Sequence, residues 1–417
     1  MISEERNKNS SEQEFSPEEK VLQEFNKRYA IVRTSTTYIL VQKTEDTFEL
    51  DSRKSFIHFH ENDFFLSHEG QLKNKALFWL KHARRRTYEN LVFNPARPGC
   101  YGDSYNIFKG FAVIPGPGDC SLFWRHVKEV ICCSREEHYI YVRKWMASIV
   151  QKPTLLATAL VLRGLQGTGK NKFVDYFGKI FGIYFLTVTS LEHICGKFNS
   201  HLKYAYLIHA NEAIWGGSKK EVGAIKALIT DAKIVIEGKG KDAIPVDNCR
   251  HLIVSSNEEW AVPMDLDDRR FFVLDVAAHR KGDLEYFRLL DQEMQAEGLQ
   301  ALLYDLLHED LSQFDPRQMP LNDCGFDIKM RSAGSIENYI YHALKEESFS
   351  AGADWGSCPC ETLYGYYRDL CRKEALRQEP SSEFGKKLKK LVTVQKTRRS
   401  MEGVREWWYE LPPLQEA

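Results

Sequence analysis

The residues best equipped for chemistry lie between 164 and 270. Gly164-Leu165-Gln166-Gly167-Thr168-Gly169-Lys170-Asn171 has the spacing of a phosphate-binding loop. Its glycines let consecutive backbone N–H groups converge on phosphates, a following helix N-terminus adds partial positive charge, and Lys170 reaches the β and γ phosphates. Asn171 stands where a Ser or Thr hydroxyl normally binds Mg²⁺; a carboxamide oxygen also coordinates, though less commonly. Further on, the apolar run YAYLIHA ends in Asn211-Glu212. Glu212 is suited to polarise an attacking water, whereas Asn211 is neutral where a Mg²⁺-orienting aspartate is usual. RHLIVSS ends in Asn257, whose amide either senses a γ-phosphate and positions water or simply closes a turn. DLDDRRFFVLDV presents Arg269 and Arg270 before a strand, to reach a nucleotide held by a neighbouring subunit or to pair with Asp267 or Asp268.

Such groups need a rigid frame, and the intervening segments predict one. Apolar strands at 158–164, 183–189, 204–210, 250–256 and 270–276 alternate with amphipathic helices, which gives an α/β layer around a parallel sheet. The helix after the glycine loop carries Phe173, Val174, Phe177 and Ile180 at helical spacing. This core spans 157–312, and a Leu-rich helical stretch from Glu285 to Leu311 closes it. Before it, residues 1–18 are too polar to offset ordering and read as a disordered tail. Residues 19–100 form a small α+β region whose strands are YAIVRT, TYILVQKT, TFELDS and SFIHFHE, with LKNKALFWLKHARRR as a helix. A helical collar occupies 101–156. Beyond the core, Pro316 and Pro320 mark a linker (313–332), and 333–417 reads helix, helix, basic helix and strand-like tail.

The chain has 57 Lys+Arg against 58 Asp+Glu, so any grip on nucleic acid must come from local patches. Two are evident. KIVIE and AIPV flank Gly238-Lys239-Gly240-Lys241-Asp242, a hairpin tip that lifts two ammonium groups off the body, or else a solvated loop. From Ser381 to Arg405, eight Lys or Arg face two Glu, a balance of +6; within it Lys386, Lys387, Lys389 and Lys390 surround the apolar face of one helix. Lys219, Lys220 and Lys226 fit solvated faces better than a DNA contact. Arg84-Arg85-Arg86 fit a solvated helix end as well as a contact with DNA or acidic partners. His58 and His60, on one face of the SFIHFHE strand, lack a third metal ligand. Neither Cys132-Cys133 nor Cys358-Pro359-Cys360 has zinc spacing, and no pair of aspartates suggests a primase site. Absence of a signal segment or an apolar span predicts a soluble intracellular protein with no membrane contact.

The order of phosphate loop, acidic strand end, amide strand end and arginine pair resembles a superfamily 3 helicase. More narrowly, YNIFKGFAV, VRKWMASIVQKP, GLQGTGKN, GKFN, NEAIWGG, IVIEGKGKD, VSSN and DDRRFFVLDV resemble the phage and mobile-element primase-helicase branch, related to poxvirus-type enzymes. The resemblance implies an AAA-like P-loop core in a homo-hexameric ring, with ATP and Mg²⁺ between subunits. Residues 164–171 would hold the nucleotide, Glu212 would activate water, Asn257 would be the sensor, and Arg269 or Arg270 the finger supplied in trans. Asn171, Asn211 and Glu212 would face the metal. Lys239 and Lys241 would track single-stranded DNA in the channel, and the C-terminal segment would be a winged-helix-like module with its lysines near DNA. The implied activity is ATP-driven 3′ to 5′ movement on single-stranded and forked DNA in the cytoplasm of a bacterial host, alongside a separate primase or polymerase. An ATPase that remodels or loads replication proteins, and a DNA-binding initiator that does not hydrolyse ATP, are the competing expectations.

Overall fold

The computed structural model describes residues 15–414 except 34–36, 45–47, 213–218, 240–242, 259–261, 263, 266–267, 321–324, 327–328, 330–333, 351–352, 375 and 402–403. Most of the expected tail, 1–14, thus lies outside the described residues. The chain divides into two units, one reaching Ala112 and including Phe181–Tyr184, the other holding the rest.

In the first unit, α1 (Pro17–Arg28) starts at Ser16, whose hydroxyl accepts from Glu19 N at 3.1 Å, and Pro17 occupies its first turn. Strands β1 (Tyr29–Arg33), β2 (Thr37–Gln42) and β3 (Phe48–Asp51) follow as an antiparallel meander. SFIHFHE is not a strand: it lies largely in helix α2 (Arg53–Phe59). Its alternating pattern imitates a strand, but Ser52 caps Ser55 N at 3.1 Å and a helix needs to bury only Phe56, against Phe25, Tyr29 and Trp79. His58 and His60 therefore share no strand face. His58 is exposed beside Glu61, while His60 is buried with Nε2 3.1 Å from the Tyr29 hydroxyl. The hairpin β4 (Phe64–Leu66) and β5 (Leu72–Asn74), helix α3 (Lys75–Lys81), β6 (Thr87–Tyr88), β7 (Asn90–Val92) and β8 (Ser104–Asn106) complete this unit. Part of the expected collar, 101–112, falls here.

The second unit opens with α4 (Ser121–His126), which runs into a π-helical turn, Val127–Ile131, and then α5 (Glu136–Gln151). Next come β9 (Ala159–Arg163), α6 (Lys170–Lys179), β10 (Phe185–Val188), α7 (Glu192–Cys195), β11 (Leu207–Asn211) and α8 (Lys219–Thr230). The hairpin β12 (Lys233–Ile236) and β13 (Ile244–Asp247) precedes β14 (His251–Ser256) and β15 (Phe271–Asp275). Helix α9 (Leu284–Glu293), a π-helical turn and α10 (Leu299–His308) close the layer. Five strands pair in the order β10-β11-β14-β9-β15, every pair parallel. Ala159–Leu162 are buried, which is why β9 reads as an unbroken apolar run rather than an alternating one. Parallel pairing brings all five C-terminal ends to one edge, and β9 lies between β14 and β15, so its outgoing loop faces their crevice.

Past Ser335, helices Ser335–Lys345, Cys360–Lys373 and Ser381–Leu391 pack around Tyr339, Leu363, Tyr367, Phe384 and Leu388. Short β16 (Ser348–Ser350) and β17 (Ala353–Asp354) precede a three-stranded sheet of β18 (Cys358–Pro359), β19 (Gln395–Met401) and β20 (Val404–Glu410). No helix among the described residues is long and apolar enough to cross a membrane.

Burial keeps three imidazoles of the second unit neutral: desolvation pushes His126 and His209 down to about 4 and His251 to about 3. In the unfolded chain they take up protons near pH 6.5, so between that pH and about 4 the unfolded state binds more protons. Stability is full above pH 6.5 and lost as pH falls through this window, by roughly 3 kcal/mol per histidine at most. The urea midpoint is expected to fall steadily from pH 7 to 4.5. A midpoint flat across that range would contradict neutral burial.

Candidate functional site

The loop leaving β9 turns directly into α6, with Lys170 as the first helical residue and Gly169 left-handed at φ +96°. Thr168 Oγ1 donates to Leu165 O at 2.9 Å and tightens the turn. The loop is braced from behind by His126, whose Nε2 lies 3.1 Å from Gly169 O and whose Nδ1 lies 3.1 Å from the Tyr286 hydroxyl. A carbonyl only accepts, so a neutral His126 carries its proton on Nε2 and accepts the Tyr286 proton at Nδ1. A Cβ on Gly169 would lie 2.5 Å from His126 Cε1 and 2.8 Å from Phe287 Cε1. The backbone here fits between α4 and α9 only without a side chain.

Lys170 is 6 % exposed, and its ammonium donates to Gly164 O at 2.5 Å, Leu165 O at 2.9 Å and Asn257 Oδ1 at 2.9 Å. Burial lowers its proton affinity, and the charge of Glu212 opposes that shift. Asn257 Nδ2 in turn donates to Glu212 Oε1 at 2.7 Å. Three motifs far apart in sequence thus become one chain: Lys170, Asn257, Glu212. Sheet register explains the meeting. β11 and β14 run side by side with Asn211 opposite Ser255, and Glu212 N donates to Ser255 O at 2.9 Å, so the two strand tips emerge together beside the β9 loop. Glu212 holds φ +50°, a left-handed conformation costing a non-glycine residue about 1–2 kcal/mol.

These groups line a cavity of about 720 Å³ with Gln166, Gly167, Thr168, Gly169 and Asn171 on one side and α9 on the other. α9 contributes Leu284, Phe287 and Asp291, the last gripping Lys172 Nζ at 2.6 and 2.7 Å. Nothing in the sequence pattern marks His126, Tyr286, Phe287 or Asp291 as site residues. They sit in stretches whose apolar periodicity announces only packing, and no local signal distinguishes them.

A family of unknown function (DUF5906) matches residues 162–270, the stretch holding the loop, both strand tips and the arginine pair. The DNA primase-polymerase of Nitratiruptor phage NrS-1 is 30% identical over 134 residues, which are 31% of this chain and 19% of that protein. The match therefore covers about a fifth of that relative's length. An apo structure of the NrS-1 C-terminal region superposes with a TM-score of 0.65 over 96% of this chain and 100% of that one, at 16% identity. An A-form apo structure of the same region gives 0.66 over 94% and 99%, again at 16% identity. The chain has the fold of the NrS-1 C-terminal region.

In this NrS-1-type fold, other residues singled out from the sequence lie away from the cavity. Asn211 is not among the residues lining it, yet its Oδ1 is buried with no hydrogen-bond partner among the described residues. Arg269 and Arg270 sit at the N-terminal end of β15, where Arg270 O accepts from Ala159 N at 2.7 Å. The five residues of β9, at about 3.3 Å each, put roughly 17 Å between that edge and the loop. Arg270 Nη1 lies 3.3 Å from the buried Asp268, whereas Arg269 is exposed. Asp267 lies outside the described residues.

Among the lysines, Lys239 is exposed at the end of the β12–β13 hairpin, and Lys241 lies outside the described residues. Lys226 is paired with Asp265 and with Asp268 at 3.3 Å, which makes it a structural cation. Lys386 pairs with Glu383 at 2.7 Å and Lys387 with Glu337 at 2.9 Å, while Lys389 and Lys390 are exposed.

Proposed function

We propose that this chain is an ATP-driven motor of phage or mobile-element DNA replication, a helicase of superfamily 3 type acting on single-stranded and forked DNA. The observation that carries the reading is the chain Lys170–Asn257–Glu212 inside one cavity at the C-terminal edge of a parallel sheet. A cavity of about 720 Å³ falls within the roughly 300–1,000 Å³ of small-ligand sites. The replication setting comes from similarity to the NrS-1 DNA primase-polymerase.

In this reading residues 164–171 form the phosphate-binding loop. Its backbone N–H groups and the α6 N-terminus take the phosphates of ATP, and Lys170 exchanges its protein carbonyls for phosphate oxygens. Asn257 holds both Lys170 and Glu212, so movement of the ammonium toward a γ-phosphate is felt directly at the carboxylate. Glu212 orients the attacking water and accepts its proton. Oxygens of Glu212 and Asn171, which line the cavity, would hold Mg²⁺, with the orphaned Asn211 Oδ1 just outside the lining as a third donor, and the ion would supply positive charge to offset that of the phosphates. Arg269 or Arg270, at the far edge of the sheet, would serve the nucleotide of a neighbouring copy in a homo-hexameric AAA-like ring. Lys239 and Lys241 would then line the channel, moving 3′ to 5′ along the strand, and the three C-terminal helices with their hairpin would act as a winged-helix-like DNA module beside a separate primase or polymerase.

Steady-state ATP hydrolysis with and without single-stranded DNA tests this, with Lys170→Ala as the control. DNA-stimulated turnover that vanishes in the variant is expected. Turnover indifferent to DNA would move the chain to protein remodelling or loading. ATP binding without turnover would favour a non-hydrolysing initiator, the reading that the neutral Asn171 and Asn211 support.

A further inference from the structure

The C-terminal segment encloses a cavity of about 740 Å³ between the start of helix Cys360–Lys373, Phe384 and one face of the β19–β20 hairpin. The hairpin pairs Lys396 with Tyr409, Arg398 with Trp407 and Ser400 with Arg405. Because strand side chains alternate, these residues share one face, and cations meet aromatic rings across it. Lys396 Nζ lies 5.0 Å from the Trp407 ring centre and 6.0 Å from that of Tyr409, and the Arg398 guanidinium 5.8 Å from Trp407. Trp407 nevertheless remains 49 % exposed, an open indole between cations.

On the opposite face of the hairpin, Arg399 pairs with Glu410 at 2.5 Å and stacks 4.8 Å over Trp408, whose buried Nε1 has no hydrogen-bond partner among the described residues. By contrast, Lys396, Arg398 and Arg405 have no carboxylate partner among the described residues. On the helix wall, Arg368 has a buried Nε with no hydrogen-bond partner among the described residues. Three cations (Arg368, Lys396, Arg405) against two carboxylates (Glu361, Glu406) line the cavity, which suits one phosphate and disfavours the dense charge of a duplex. An exposed indole with adjacent cations is the chemistry that stacks an unpaired base and holds its phosphate.

We propose that this cavity accepts one nucleotide of an unpaired strand, its base against Trp407 and its phosphate among Arg368, Lys396 and Arg405. The inference rests on the DNA-binding part of the proposed function and is independent of hydrolysis at Lys170. It moves the contact from the basic helix, where two of the four lysines are already paired, to the hairpin face.

The test is fluorescence anisotropy of the full chain, without nucleotide, on a labelled oligothymidylate about 20 nucleotides long, its RNA counterpart and a duplex. Trp407→Ala is expected to weaken single-strand binding about tenfold and Trp407→Phe to restore most of it, with duplex binding unchanged. Lys396→Ala/Arg405→Ala should flatten the salt dependence by about 0.7 in log–log slope, one phosphate's share on a single strand. Loss on both oligomers assigns the cavity to single strands of either sugar; loss on one alone assigns it to that sugar. Wild-type affinity in both Trp407→Ala and Lys396→Ala/Arg405→Ala would overturn the inference. If Lys239→Ala/Lys241→Ala then abolishes binding, the motor reading survives without it. An equal loss on duplex would also overturn it, and failure of the wild type to bind any strand would remove it together with the DNA reading.

Discussion

Glu212→Gln is expected to bind ATP and fail to hydrolyse it. Removing a positioned general base typically costs about 10²–10⁴-fold, or roughly 3–5 kcal/mol of barrier. The substitution is nearly isosteric, and a glutamine Oε1 still accepts from Asn257 Nδ2, so the 2.7 Å contact that joins the two strand tips is kept. Binding measured by a fluorescent ATP analogue should remain within a few-fold of wild type while turnover disappears. Turnover within tenfold of wild type would remove Glu212 from the role of base and leave it as a bystander at a strained strand end.

Gly169→Ala should abolish nucleotide binding outright. Two costs act together: the left-handed φ of +96°, and a Cβ 2.5 Å from His126 Cε1 and 2.8 Å from Phe287 Cε1. The conformational part alone is about 1–2 kcal/mol, and neither ring, each on a packed helix, can withdraw without opening the wall of the site. His126→Ala in the same chain relieves one steric contact but not the backbone cost, so the double variant should regain some thermal stability without regaining tight binding. Wild-type ATP affinity in Gly169→Ala would show that the loop has room the packing denies it.

Much of this site is legible before any coordinates because its signals are local. Gly164 to Lys170 announces itself by spacing, and Glu212 and Asn257 by ending apolar runs that fully buried parallel strands must produce. The segment around Phe56, helical despite its alternating pattern, shows where such local signals end. A period of two survives in a short helix when one ring per turn is buried and a serine cap starts it. His126 and Phe287 carry no such mark, because what they do depends on α4 and α9 closing over Gly169. Nor does a linear sequence show that Arg269 and Lys170 stand at opposite edges of a sheet. Strand direction becomes distance only once five strands align. The open indole of Trp407 is hidden in the same way, since the register of the hairpin decides which face each residue joins.

The separation of Arg269 and Arg270 from Lys170 also bears on how copies of this chain would assemble. Under the proposed reading, each copy presents half a reaction centre at each end of its sheet, and the two halves are different. Contacts between copies would then be heterologous, head to tail, as opposed to the self-complementary contact of a two-fold dimer. Every copy added to an open chain completes one centre and leaves one unfinished half at each terminus. Only closure into a ring makes the number of complete centres equal the number of copies.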